Sequence, residues 1–145
     1  MALSEKKQYR SWDNKVRSRN LIANSTAITK SRQGVTSSQM NRIVKQAGFS
    51  IGDWARYLHL SERSIQRYFK VKKTFELPYA ERIIEIESLF LLGNEIFGDP
   101  AKFKLWLYRP NLTLGEASPA SFLDTSEGIR LIMSKLHQIE HGIFA

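Results

Sequence analysis

Cysteine is absent from the 145 residues. That excludes disulfide staples, thiolate nucleophiles and thiolate metal sites together, and it suits the cytoplasm. No apolar run approaches the ~20 residues that a membrane helix needs, so no membrane partner is expected. The opening MALSEKKQYRSW carries charges with no apolar stretch behind them, which argues against a secretory signal. Strand-like alternation of useful length is missing as well, and so is any internal repeat. Nor does the chain contain a glycine-rich phosphate loop, a nucleophile elbow or a paired-carboxylate arrangement. The histidines are His59, His137 and His141; the last two are four apart on a helix, but no third ligand is evident beside them. The expectation is an all-α protein that is not an enzyme and needs no metal or cofactor.

Charge is plentiful, and it is divided. Residues 1–35 hold eight Lys/Arg against two Asp/Glu, residues 36–75 again eight against two, and residues 76–145 six against ten. The chain is therefore +12 before residue 76 and −4 after it, which together give the net +8. A polyanion such as DNA suits the first part, and a different partner must suit the second.

The pattern yields three regions. Residues 1–35 read as a basic arm whose composition permits flexibility, and only Val16 to Ile28 has the makings of a short helix. Residues 36–75 become helical: Ser37 or Ser38 can cap a helix with the stripe Met40, Ile43, Val44, Ala47, and Gly48 stops it. A short helix from Ile51 to Tyr57 follows under a Ser50 cap, and another begins after Ser61. Residues 76–145 open at Leu77-Pro78 with a long helix so rich in Ile, Leu and Phe that it is central to the fold or to a dimer. Asp99-Pro100 and Ser118-Pro119 each have the form of a cap followed by a first-turn proline. Asp124 with Glu127 has the form of a capping box for the last helix.

The stretch SIGDWARYLHLSERSIQRYFK satisfies the demands of two helices crossing steeply through a tight turn. Ala55 is small where the helices cross, His59 falls at the turn, and Ile65 supplies the branched contact ten residues after Ala55. Glycine is usual at such a turn, so His59 must accept a left-handed backbone. A helix-turn-helix of this kind would aim Glu62, Arg63, Ser64, Gln66, Arg67 and Lys70 away from the core. Arg can fork onto guanine and Gln can pair with adenine, while Ser61 or Ser64 at the helix start can hold a phosphate. Lys72 and Lys73 would add sequence-blind attraction. The DNA-binding candidates are thus Ser61, Arg63, Ser64, Gln66, Arg67 and Lys70. The same residues would also serve as the solvated face of a helix that only packs.

Downstream, several elements occur in order: Phe97-Gly98-Asp99, Trp106-Leu107 with Pro110-Asn111, Leu114-Gly115, Pro119, Leu123-Asp124-Thr125, Gly128, and Ile139-Glu140 with Gly142. Together they resemble the toxin-binding domain of Xre-type antitoxins, the group that includes the ParS and MbcA antitoxins. With the upstream helix-turn-helix, the resemblance spans Thr36 to Ala145. One departure is Glu116, where many relatives carry a second glycine.

The resemblance implies a partner with a RES domain, an NAD-consuming toxin whose cleft the C-terminal region covers, and operator DNA bound as an autoregulator. The toxin-binding candidates are Arg109, Asn111, Leu114, Gly115, His137, Glu140, Gly142, Ile143, Phe144 and Ala145. The last four would form a plug. A homodimer or higher assembly through the long helix is expected. The competing reading is a stand-alone helix-turn-helix transcription regulator with a C-terminal ligand-sensing or dimerisation domain.

Overall fold

The computed structural model describes residues 24–142. The expected helix over Val16 to Ile28 lies partly outside the described residues, and Ile143, Phe144 and Ala145 lie wholly outside them. The fold is all-α, with seven α-helices among the described residues. The first, α1, covers residues 24–33. It is followed by α2 (Ser37–Ala47), α3 (Ile51–Leu58), α4 (Glu62–Lys70), α5 (Tyr79–Phe97), α6 (Pro100–Tyr108) and α7 (Ser126–Glu140). Two 3₁₀ turns, Leu112–Leu114 and Pro119–Phe122, join α6 to α7.

Local chemistry sets most of the boundaries. Ser50 caps α3 and forms a capping box with Asp53, Ser61 caps α4, and Asp99 caps α6 with Pro100 behind it. Gly48 ends α2 in the left-handed region. Two caps sit one residue from where the sequence suggested. At α2 the cap is Thr36, which accepts from the Gln39 N–H while the Gln39 side chain accepts from the Thr36 N–H; neither Ser37 nor Ser38 is used. At α7 the cap is Thr125, whose hydroxyl accepts from the Gly128 N–H at 2.9 Å. No Asp124–Glu127 capping box forms there, and Glu127 pairs with Arg130 instead. Ser118 makes no side-chain cap.

The region read as a basic arm enters the fold before its expected end. Ala27 on α1 packs against the core, Ser31 is buried, and its hydroxyl donates to the Ala27 carbonyl at 2.8 Å. Val35 is also buried, and it exchanges both backbone hydrogen bonds with Phe75 at 2.8 Å. Only the first half of α1 overlaps the expected helix; its extension to residue 33 carries no apolar signal, and burial of Ser31 needs only its own helix to satisfy the hydroxyl.

Helix α5 is the axis of the molecule and packs against α2, α3, α6 and α7. Ala80, Ile83, Ile84, Ile86, Leu89 and Phe90 are buried, Leu92, Ile96 and Phe97 are half-buried, and Leu91 alone of the expected set is exposed. Intramolecular neighbours cover most of that apolar surface, which makes α5 central to the fold.

One core runs through both halves, and polar bonds lock the halves together. The Arg82 guanidinium donates to the Tyr57 carbonyl at 3.2 Å and to the Asp124 carbonyl. His59 Nε2 donates to the same Asp124 carbonyl at 2.8 Å. Tyr108 donates to Asp53 at 3.0 Å, and Lys104 to the Gly48 carbonyl at 3.0 Å. Phe49 touches Trp54, Tyr57, Phe90 and Tyr108 edge-on, so a single ring joins α3, α5 and α6. Burial first, then the nearby Asp53 carboxylate, push the Tyr57 hydroxyl up to about 12.

Glu85 sits beside this lock. Its Oε1 accepts from the Ser126 hydroxyl at 3.1 Å, while Oε2 lies 3.8 Å from Arg82 Nε with no hydrogen bond to either atom. Burial pushes the Glu85 carboxyl above its ordinary 4.5, against the opposing pull of Ser126 and Arg82. A carboxyl raised in the folded state stabilises folding when protonated. That contribution is fully present below 4.5 and is lost as pH rises through the folded value. Glu85→Gln, neutral at every pH, is expected to raise the melting temperature at pH 7 and to lose that advantage below pH 4.5. Thermal unfolding from pH 4 to pH 8 checks it; a difference that does not vary with pH would reject the burial argument.

Candidate functional site

Three places on the surface hold the functional candidates. The first lies on α4, and its orientation depends on the turn before it. His59 adopts the left-handed conformation at φ 54° and ends α3. The Leu60 N–H reaches back to the Ala55 carbonyl at 3.0 Å, the closing bond of a helix end whose last residue is left-handed, here with His59 in the place glycine usually takes. Trp54, Leu58, Ile65 and Tyr68 are buried, with Ala55 and Leu60 packed against them. Ser61 Oγ accepts from the Ser64 N–H at 3.0 Å and donates to Ser64 Oγ at 2.8 Å.

With α4 so fixed, Ser61, Arg63, Ser64, Gln66, Arg67 and Lys70 line one concavity of about 610 Å³. These are the six residues the sequence singles out, brought onto a single face. Among the described residues, no hydrogen bond or ion pair engages the side chains of Arg63, Gln66, Arg67 or Lys70. Lys72 is exposed nearby, and the Lys73 ammonium lies 4.7 Å over the Tyr68 ring. Three unpaired cations and an amide spread along the exposed face of α4, with the capped start of the helix at one end, are chemistry that suits a phosphate backbone and base edges.

The second surface is formed by α6 and the turn after it. Arg109 ends α6 in extended geometry and is exposed. Asn111 organises the turn: its side-chain oxygen accepts from the Thr113 N–H at 2.9 Å and from the Thr113 hydroxyl at 2.7 Å, and its own N–H donates to Ala117 at 3.1 Å. Gly115 closes the turn at φ 64°, and Leu114 packs against the core. Glu116 follows at φ 64°. The departure from the relatives' second glycine therefore falls on a backbone conformation that favours glycine, which Glu116 holds at some strain. A groove of about 650 Å³ runs along this edge, lined by Phe97, Lys102, Leu105, Trp106, Arg109, Pro110, Asn111, Leu112 and Thr113. Trp106 forms its wall, half-buried and stacked on Phe103 at 6.2 Å.

The remaining candidates sit at the end of α7. His137 Nδ1 donates to Glu140 Oε2 at 3.2 Å, and both side chains are about half exposed. Gly142 leaves the helix at φ 75°, with its N–H on the Ile139 carbonyl at 3.0 Å. Ile143, Phe144 and Ala145 lie outside the described residues. Among the described residues, no hydrogen bond or ion pair joins this end of α7 to the turn at Arg109 to Gly115. Lys102, Leu105 and Leu112 line the groove and were not singled out from the sequence. Leucines at such spacing read as core, and no local signal distinguishes them from buried ones.

A family model described as the antitoxin Xre/MbcA/ParS C-terminal toxin-binding domain matches residues 92–142. The chain is similar to an antitoxin Xre of Photorhabdus laumondii, 30% identical over 112 residues that make up 77% of this chain and 76% of the relative. An antitoxin Xre of Yersinia enterocolitica is 29% identical over 87 residues, 59% of each chain. A putative HTH-type transcriptional regulatory protein of Saccharolobus islandicus is 32% identical over 99 residues, 66% of this chain but only 31% of that protein. In fold, the chain is similar to one in the crystal structure of the M. tuberculosis MbcT–MbcA toxin–antitoxin complex. That match has a TM-score of 0.59 at 18% identity, and it covers 75% of this chain and 96% of the other.

Proposed function

Because the chain belongs to the Xre antitoxin family, we propose that it neutralises a RES-domain, NAD-consuming toxin by covering the active site with its C-terminal region, and that it represses its own promoter through α4. The observation that carries the promoter half is the concavity on α4, where all six candidate residues converge with their charges unpaired. The toxin half is supported by the match of residues 92–142 to a toxin-binding domain. It is also supported by the exposed, left-handed Gly142, where the backbone departs from the path of α7. An NAD cleft presents a positive field to the pyrophosphate, from cations or from helix N-termini, and the Glu140 carboxylate near that exit suits such a field. DNA-binding and toxin-binding modules are assigned to residues 36–75 and 76–145. No cofactor is required, because occlusion and repression both work by contact.

Removal of Gly142 to Ala145 is expected to weaken inhibition of a RES-domain protein offered as its partner, by about tenfold or more, while leaving promoter affinity within about twofold. NAD consumption and a DNA-binding isotherm on the same preparations check it. Equal inhibition by the truncated chain would remove the plug from the reading. The similarity to a transcriptional regulatory protein favours one alternative, a regulator without a toxin. Specific DNA binding with no effect on NAD consumption would select it.

A further inference from the structure

The groove along α6 carries an exposed apolar patch. Leu112 is 82% exposed and Leu105 is 55% exposed, and the half-buried Trp106 joins them into one patch. Scattered single leucines are ordinary on a protein surface, but a contiguous set around an aromatic wall is the mark of an interface. Leu112 is not exposed by looseness. The turn that carries it is tied at both ends through Asn111, whose carbonyl also accepts from the Glu116 N–H at 2.9 Å. A surface already held in place loses little freedom on binding, which favours affinity.

Charge narrows the partner. Residues 76–145 contain ten acidic side chains, yet none lines the groove, while Lys102 and Arg109 do. The complementary surface is an apolar projection fringed by carboxylates. A cleft that binds the pyrophosphate of NAD presents a positive field, from cations or from helix N-termini, and would repel these two side chains. The groove therefore suits a part of the toxin outside its catalytic cleft.

We propose that this groove is an anchoring site for the toxin, separate from the segment that blocks catalysis: Leu112, Leu105 and Trp106 supply affinity, and the end of the chain supplies inhibition. The proposal rests on the reading of the partner as a toxin, and it divides binding from blocking within that reading. The two surfaces are distinct in the fold, since one is a turn after α6 and the other the exit from α7.

The test uses the full chain and a purified RES-domain protein offered as its partner, with dissociation constant and residual NAD consumption measured separately. Leu112→Asp is expected to weaken binding about 30-fold or more, with inhibition fully recovered once the variant is present in saturating excess. Its high exposure keeps the fold intact, which a circular dichroism melt confirms. Lys102→Glu is expected to weaken binding as well, by slowing association at low salt. Leu91→Asp, a substitution at a leucine that is also exposed but lies on α5, is expected to bind as the parent does. Unchanged affinity in Leu112→Asp, or equal loss in Leu91→Asp, overturns the anchor. So does loss of promoter binding in place of toxin binding, which would make the groove a DNA surface. Failure of the parent chain itself to bind the RES-domain protein defeats the toxin reading first, and the anchor with it.

Discussion

Gly128→Ala is expected to destabilise the protein by about 3 kcal/mol or more, enough to lower the melting temperature by roughly 10 °C. A methyl group at that position would lie 1.9 Å from the Phe122 carbonyl oxygen and 2.9 Å from the Thr125 hydroxyl. The first neighbour is backbone in a 3₁₀ turn whose Pro119 and Ala120 are buried, so it cannot swing aside. The second is the cap of α7, which accepts from the Gly128 N–H itself. Relief requires α7 to back away from the turn, and that movement breaks the cap and disturbs the Asp124 carbonyl shared by Arg82 and His59. Chemical denaturation of the variant checks the magnitude. A melting temperature within about 2 °C of the parent would show that the helix start is free to move.

That expectation also explains much of what made the C-terminal half legible. The family elements are largely scaffold. Gly98 turns the chain in the left-handed region before Asp99 caps α6, Leu123 is fully buried, and Asp124 offers its carbonyl to the inter-half lock. Thr125 is the cap and Gly128 is the point of closest approach. Asp124 acts through a carbonyl that any residue would supply. Gly98 and Gly128, by contrast, meet demands that glycine alone meets without strain, and Leu123 and Thr125 fill an apolar and a capping position open to few residue types, so these leave marks in the sequence. Gly93 does the same without belonging to any motif: a methyl there would meet the Phe103 ring at 2.2 Å, and Phe103 is held by Phe90, Phe97 and Trp106.

Binding surfaces leave weaker marks. The α4 face could be read because helical spacing puts Arg63, Gln66 and Arg67 on one side once Ile65 and Tyr68 are assigned to the core. The groove leucines could not. Leu105 and Leu112 differ from Leu107 and Leu114 only in which way the fold turns them. The same limit left α5 readable either as the centre of the fold or as a dimer surface, and its apolar residues are largely covered by four helices that approach from different sides. Periodicity counts apolar positions; it does not count the neighbours available to cover them.

The second large effect is on the duplex. Arg63→Ala with Arg67→Ala is expected to reduce affinity for the promoter upstream of this gene by about 30-fold or more, since each forked contact to a base is worth ~1–3 kcal/mol. The two arginines are one helical turn apart on the exposed face, with Gln66 between them, and all three share the concavity that begins at Ser61. Base readers and phosphate contacts separate by their dependence on sequence and salt. The double variant should lose its preference for the promoter over unrelated DNA, whereas Lys70→Ala should weaken both alike and reduce the salt dependence by about one counterion. Isotherms at several salt concentrations on promoter and scrambled duplexes distinguish the cases. Parent-like promoter affinity in the double variant would mean that the helix-turn-helix serves only as packing for α5. The unpaired charges of α4 would then be a solvated face and nothing more.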